Sequence, residues 1–279
     1  MNISEIGFPG LGIEPFKVNR VAFTIFGIDI AWYAVIITFG MIMAVLYCAY
    51  RAKRIGMTFD DVIDFALAAI PIGIIGARLY YILTKLESFP TFRDWLAIRD
   101  GGLAIYGGII GGALAVLVVA KVKKIKFLAF ADCTMPAIIL AQAIGRWGNF
   151  CNGEAFGYAT DIFCRMSLNN NLTYYETVMV HPCFLYESLW NIIGFILINL
   201  VYTKRKYDGQ IFIAVCGWYG LGRAWIEGLR TDSLYLPEIF GMADLRVSQV
   251  LAVAIFVLCL GILIYHAIKK TNKPLYIKG

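Results

Sequence analysis

The sequence predicts an all-α polytopic membrane protein with seven transmembrane helices, its N-terminus outside, its C-terminus cytoplasmic, and a small outward-facing cap. Three observations carry that prediction. Of 279 residues, 60% are hydrophobic and only 16% charged, and the mean hydropathy is +0.71, which is more apolar surface than one soluble core of this size needs. The apolar residues return in runs near twenty, the length that crosses a bilayer as a helix. Clusters of Lys and Arg follow every second run, as in loops retained on the cytoplasmic side.

Taken in order, the expected spans are about 22–50, 60–85, 103–120, 127–145, 183–203, 211–228 and 247–268. The stretch before the first span, Met1 to Pro15, carries Glu5 and Glu14 but no basic region, so it does not read as a cleaved signal peptide and the first span is its own insertion signal. Arg51, Lys53 and Arg54 follow the first span, and Lys121, Lys123, Lys124 and Lys126 the third. Lys204, Arg205 and Lys206 follow the fifth, and Lys269, Lys270, Lys273 and Lys278 the seventh. All of these fall on one side, whereas the opposite side has only isolated Lys and Arg mixed with Asp and Glu. The net charge of +6 is therefore the residue of the positive-inside pattern, and no nucleic-acid partner is expected. The seven cysteines are scattered without a Cys-x-x-Cys, so neither a zinc site nor a disulfide framework is suggested. No linker or internal repeat interrupts the chain, which reads as one transmembrane domain, 1–279, with residues 146–182 forming the outer cap.

The polar residues near the outer ends of the spans carry the chemistry. Gly145-Arg146-Trp147-Gly148-Asn149-Phe150-Cys151-Asn152-Gly153-Glu154, running on to Gly157, sets a guanidinium, two amides and a carboxylate among glycines. A lone arginine there would simply snorkel to the interface. A planar fork of donors with amides beside it suits a phosphate oxygen, and the glycines admit a ligand close to the backbone. In the sixth span Arg223, Glu227 and Arg230 stand at i, i+4 and i+7, so on a helix Glu227 can pair with either arginine and leave the other for a ligand. The bland reading is a salt bridge between helices. An arginine within a membrane costs roughly 2.5–3.5 kcal/mol on insertion scales, which makes function the default reading.

In the third span the glycines at 101, 102, 107, 108, 111 and 112 surround Tyr106. They serve either close helix packing or a thin wall beside a substrate. Arg78 is a candidate third cation for the same site, with pairing to Asp132 as its bland alternative. Tyr33, Gln142, His181, Tyr186, Glu187 and Asn191 are further polar residues in or near the spans. His181, before Pro182, reads first as structural, and Cys183 beside it is poorly placed to form a nucleophile and base pair with it.

The combination Asp100-Gly101-Gly102 with Tyr106-Gly107-Gly108, the Gly145 to Gly157 motif, His181-Pro182 with Leu185-Tyr186-Glu187, and Tyr219-Gly220 with Arg223, Glu227 and Arg230 resembles the bacterial prolipoprotein diacylglyceryl transferase family. The resemblance runs from Ala31-Trp32-Tyr33 to the seventh span. It implies a seven-span enzyme of the inner membrane that moves a diacylglyceryl group from phosphatidylglycerol to the thiol of a prolipoprotein lipobox cysteine, releasing glycerol phosphate, with no metal or organic cofactor. Arg146 and Arg223 are then the catalytic cations, and Asn149, Asn152, Glu154, Gly157, Tyr33, Arg78, Glu227, Arg230 and His181 join Arg146 in substrate binding. Glu227 orients an arginine rather than attacking. Where some members have histidine before the second glycine pair, this chain has Tyr106, whose phenol, with a pKa of about 10, is a poor base near neutrality. Activation of the thiol by the arginines with Tyr106 positioning is the favoured reading, beside a Tyr106 relay and His181 acting through water. The rivals are an anion or lipid transporter, for which buried arginines are as natural, and a phospholipid phosphatase or acyltransferase, whose nucleophile or metal-binding cluster is not apparent in the sequence.

Overall fold

The computed structural model describes residues 3–89, 91–96, 101–231 and 246–278. Among these the chain is mostly helical: α1 (Trp32–Ala52), α2 (Phe59–Thr84), α3 (Phe92–Leu96), α4 (Ile105–Val122), α5 (Phe127–Asn152), α6 (Cys183–Val201), α7 (Gln210–Ile226) and α8 (Val247–Ile268). Six of them, α1, α2, α4, α5, α6 and α8, are long and apolar enough to cross a membrane. The expected sixth span, α7, has 17 residues, at the short end of the range of about 17–25 that spans a bilayer. Strands β1 (Ile3–Phe8), β2 (Ile13–Asn19), β3 (Val21–Ile25), β4 (Ile28–Ala31), β5 (Met166–Asn169) and β6 (Val178–Val180) add to the helical frame. The chain divides into two compact units, Met1–Ala44 with Thr134–Pro274 and Val45–Cys133 with Leu275–Gly279.

In the first unit the expected span 22–50 begins too early, because helix α1 starts only at Trp32. The residues before it form the β3–β4 hairpin, turned at Phe26 and Gly27, both with positive φ (49° and 77°). That two-residue turn matches the twist of paired strands, and Thr24 closes the hairpin by donating to Asp29 at 2.7 Å. A second sheet, in the order β2-β1-β5-β6, is antiparallel throughout and joins the N-terminus to the segment after α5. Its buried face, with Ile6, Met166, Leu168 and Val180, packs against Phe184 of α6 and Phe150 of α5. The expected cap segment 146–182 is thus helical as far as Asn152 and contributes only its later part to the sheet. Gly153 ends α5 with a φ of 61°, a left-handed conformation that glycine adopts without penalty. Asn170 donates to the Gly153 carbonyl at 2.8 Å.

Helices α6 and α7 are locked by a reciprocal tryptophan pair. Trp190 and Trp218 stack with centroids 4.3 Å apart, and each indole N–H donates to the other residue's carbonyl at 3.0 Å. Gly222 lies directly under the Trp190 ring and Gly194 under the Trp218 ring. A side chain at Gly222 displaces a stacked indole that already holds a hydrogen bond, so Gly222→Val is expected to destabilise the protein by about 1–3 kcal/mol, read as a lower unfolding temperature in detergent.

In the second unit α2 opens on a capping box between Thr58 and Asp61. Lys123 donates to Asp61 at 3.0 Å and pairs with Asp64 at 2.5 Å. Those carboxylates, Asp64 first, raise its pKa. The glycines of α4 bring it against α2: a Cβ at Gly76 would fall 2.5 Å from the Gly107 carbonyl, and one at Gly111 would fall 2.7 Å from that of Ile72. The packing reading of this glycine run therefore describes Gly107 and Gly111. Gly101 and Gly102 have φ of 87° and 79° and shape the entry to α4. Asp100, at the head of the motif, lies outside the described residues.

Candidate active site

The last turns of α5 carry Arg146, Asn149 and Asn152 in the first unit. Because α5 continues past 145, these side chains project from a regular helix rather than from a loop. Arg146 donates to Asn149 Oδ1 at 3.3 Å, and Asn149 and Asn152 both donate to Glu154 Oε1, at 3.0 and 3.1 Å. The Glu154 backbone N–H returns to the Asn149 carbonyl at 3.1 Å. Arg20 clamps the Asn152 carbonyl at 2.6 Å. Tyr33, at the start of α1, lays its ring on Gly148, where a Cβ would fall 2.8 Å from Cδ2.

Glu187, on the second turn of α6, is the centre of an ion-pair cluster. Its carboxylate pairs with Arg146, with Arg223 at 2.9 Å and with Arg230 at 3.5 Å. Arg223 also pairs with Glu227 at 2.5 Å. The side chains of Glu187 and Glu227 are only 6% and 2% exposed, while those of Arg146, Arg223 and Arg230 keep 22%, 17% and 11%. The carboxylates are thus the buried backing, and the guanidiniums the accessible face. Each guanidinium has five N–H donors, enough to hold a carboxylate and still serve an anion. Sequence reasoning had Glu187 among its polar residues but not in the site. Its pairings across 41 and 36 residues leave no local spacing signal.

One expectation is corrected. Helical spacing placed Arg223, Glu227 and Arg230 on one face, with Glu227 free to choose between the arginines. Helix α7 ends at Ile226, Glu227–Leu229 form a 3-10 turn, and Arg230 is extended (φ −79°, ψ 148°). Arg230 therefore swings to Glu187, and the Glu227 carbonyl instead accepts from Arg246, which also donates to Tyr158 Oη at 3.0 Å.

Gly157 joins the next pieces. It bridges to Arg230 and donates its N–H to the His181 carbonyl at 3.0 Å. An added Cβ there would fall 2.7 Å from both His181 Cβ and the Leu229 carbonyl, so the close approach requires glycine. The His181 ring meets Tyr186 through Nδ1, 3.1 Å from the hydroxyl. Burial pushes the His181 pKa below the usual histidine value. The peptide N–H of Cys183 bonds to the His181 carbonyl at 2.9 Å.

Arg78 and Tyr106 belong to the second unit. Arg78 donates to the carbonyls of Trp95, Gly101, Gly102 and Asp94 at 2.5–3.1 Å and sits over the Phe89 ring. Tyr106 packs beside Tyr80, centroids 6.3 Å apart. Among the described residues, His, Cys, Asp and Glu form no group of three that could hold a metal ion.

Residues 20–265 match the model of a family described as prolipoprotein diacylglyceryl transferase. A phosphatidylglycerol–prolipoprotein diacylglyceryl transferase of Clostridioides difficile (strain 630) is 43% identical over 92% of this chain and 98% of that protein. Relatives with the same name in Enterococcus faecalis (42% identical, 89% of this chain, 90% of that protein) and, as transferase 1, in Clostridium perfringens (41%, 93%, 100%) are similar along nearly their whole lengths. The chain belongs to the prolipoprotein diacylglyceryl transferase family.

Proposed function

We propose that this protein, a multi-pass protein of the bacterial cytoplasmic membrane, transfers the diacylglyceryl group of phosphatidylglycerol to the thiol of a prolipoprotein lipobox cysteine, leaving a thioether and glycerol phosphate. The observation that carries the reading is the cluster of Arg146, Arg223 and Arg230 on the buried Glu187 carboxylate. In the reaction a sulfur–carbon bond forms at the glycerol carbon of the lipid and the carbon–oxygen bond to phosphate breaks, so a phosphodiester departs as a monoester and gains negative charge. Three guanidiniums set against the carboxylates of Glu187 and Glu227 leave this set one positive charge in excess, fixed before the reaction begins. Donors held in place for developing charge lower the barrier without reorganising.

Arg146 and Arg223 meet the leaving phosphate in this reading, Asn149 and Asn152 add amide donors, and Glu154 holds those amides in place. Arg230, Glu227, Gly157 and His181 complete the headgroup side, and Tyr33 covers Gly148. An apolar groove of about 390 Å³ lined by Val35, Phe39, Leu140, Ile144 and Trp147 runs from the Arg146 turn along α1 and α5 and suits an acyl chain. On the motif resemblance alone, Arg78 serves substrate binding and Tyr106 positioning, and full activity in Tyr106→Phe would remove that role from Tyr106.

The site occupies the last turns of α5, the first turns of α6 and the end of α7, and the Lys204–Lys206 cluster lies between the far ends of α6 and α7. By the positive-inside rule it faces the exterior, where an exported precursor emerges. An anion or lipid transporter gains no support from relatives that carry a transferase name.

The test is direct. Purified protein in phosphatidylglycerol liposomes with a synthetic lipobox peptide is expected to yield thioether-linked diacylglycerol and glycerol phosphate in equal amounts. Absence of both products from the wild-type protein would overturn the reading.

A further inference from the structure

The reaction proposed above removes a proton from a thiol whose ordinary pKa is about 8.5, and the chain offers few groups able to take it near neutrality. It contains two histidines. His266 lies at the end of α8 beside Lys269 and Lys270, with Nδ1 held by Thr271 at 3.0 Å and its ring against Tyr207. His181 lies at the other end of the helices, on the backbone strip that carries Arg230: Gly157 bonds to His181 on one side and bridges to Arg230 on the other. Tyr186, which meets the His181 ring, immediately precedes Glu187, the carboxylate shared by the three arginines.

We propose that His181 is the base that takes the proton of the incoming cysteine thiol, with Tyr186 holding its ring in the tautomer whose Nε2 is basic. Tyr186 Oη stands 3.1 Å from His181 Nδ1 and 3.7 Å from Cys164 Sγ. With the hydroxyl proton turned toward Cys164, Tyr186 accepts from Nδ1–H, which puts the ring's lone pair on Nε2 and steadies the imidazolium once it forms. Nε2 makes no hydrogen bond to the described residues, and the ring is only partly buried. Tyr186 is itself held in place, its ring 6.1 Å from that of Trp225.

Among the described residues, Tyr186 meets the His181 ring, Gly157, Tyr158 and Cys183 bond to its backbone, Cys164 meets Tyr186, and Arg230 bridges to Gly157. Arg230 is the charged member of that set, and its guanidinium is turned to Glu187. Burial holds the His181 pKa below the usual histidine value, so the imidazole is neutral at neutral pH, as a base must be. In the step, the S–H bond breaks and its proton passes to Nε2. The sulfur electron pair forms the bond to the glycerol carbon, and the electron pair of the broken carbon–oxygen bond leaves on glycerol phosphate, which the arginines hold.

This inference rests on the transferase reading, and the experiment separates the two. Transfer from phosphatidylglycerol liposomes to a lipobox peptide is followed across pH for wild type, His181→Gln and His181→Ala. Wild type is expected to gain activity as pH rises through the lowered histidine pKa and then level off. His181→Gln should be slower at neutral pH by about 10²-fold or more and should recover as pH rises through the thiol pKa of about 8.5. Added imidazole should restore His181→Ala in part. A His181→Gln enzyme as fast as wild type with the same pH profile overturns the assignment. So does a loss that neither alkaline pH nor imidazole relieves, because a purely structural role behaves that way. No thioether product from the wild type would instead sink the transferase reading itself.

Discussion

Arg223→Ala is expected to slow diacylglyceryl transfer by about 10²- to 10³-fold, the loss typical of removing one donor aimed at a developing negative charge. Arg223 spans the site, reaching Glu187 at 2.9 Å with one terminal nitrogen and Glu227 at 2.5 Å with the other. Its removal takes away a cation that meets the leaving phosphate and leaves two buried carboxylates without the group between them. Arg223→Lys should recover little, since a single ammonium cannot occupy both carboxylates in the planar fork geometry. Arg146→Ala is expected to fall in the same range, for Arg146 pairs with Glu187 and also orders the Asn149–Glu154 chain. Initial rates with the lipobox peptide, alongside unfolding temperatures, check both. Undiminished transfer in the two alanine variants would remove the phosphate clamp from the mechanism.

Glu187→Ala is expected to have the second large effect, and of a different kind. Glu187 touches no reacting atom in the proposed mechanism, yet it holds three guanidiniums at once with a side chain only 6% exposed. Deleting one partner of a buried pair typically costs about 3–5 kcal/mol, because the charge left behind has no compensation. Here three guanidiniums lose the carboxylate they share, Arg223 keeping Glu227, and they spread apart. The isosteric Glu187→Gln is therefore the more informative variant: the site becomes more positive, so the KM for phosphatidylglycerol should hold or fall, while kcat drops as the arginines lose their fixed geometry. A rise in KM with kcat unchanged would show that Glu187 does not act by positioning them.

Much of this architecture was legible before any coordinates. The last span was expected at about 247–268, and helix α8 is Val247–Ile268; a long apolar run bounded by polar residues leaves little latitude. The apolar run at 22–50 begins before α1 because the β3–β4 hairpin, with Phe23, Ile25, Ile28 and Ile30, is as apolar as the helix that follows it. Only the turn at Phe26-Gly27 marks the break. The β1–β5 pairing joins Glu5 to Asn169, and nothing within either short segment announces a partner so distant in sequence. In the site, the Arg223–Glu227 pair follows directly from helical spacing, as read. The Arg230 contact with Glu187 does not, because the helix stops before Arg230 is reached.

The sequence by itself determined that this is a multi-pass helical membrane protein, placed its arginines, amides and glycines at the ends of particular spans, and carried the family resemblance. Those are properties of runs of residues and of short motifs, set by the match between apolar length and bilayer and by helical spacing. Only the tertiary structure decided which carboxylate gathers the guanidiniums. Glu187, Arg146, Arg223 and Arg230 lie on different stretches of chain, and their order along it carries no record of the packing of α5, α6 and α7 ends that lets one buried charge meet three.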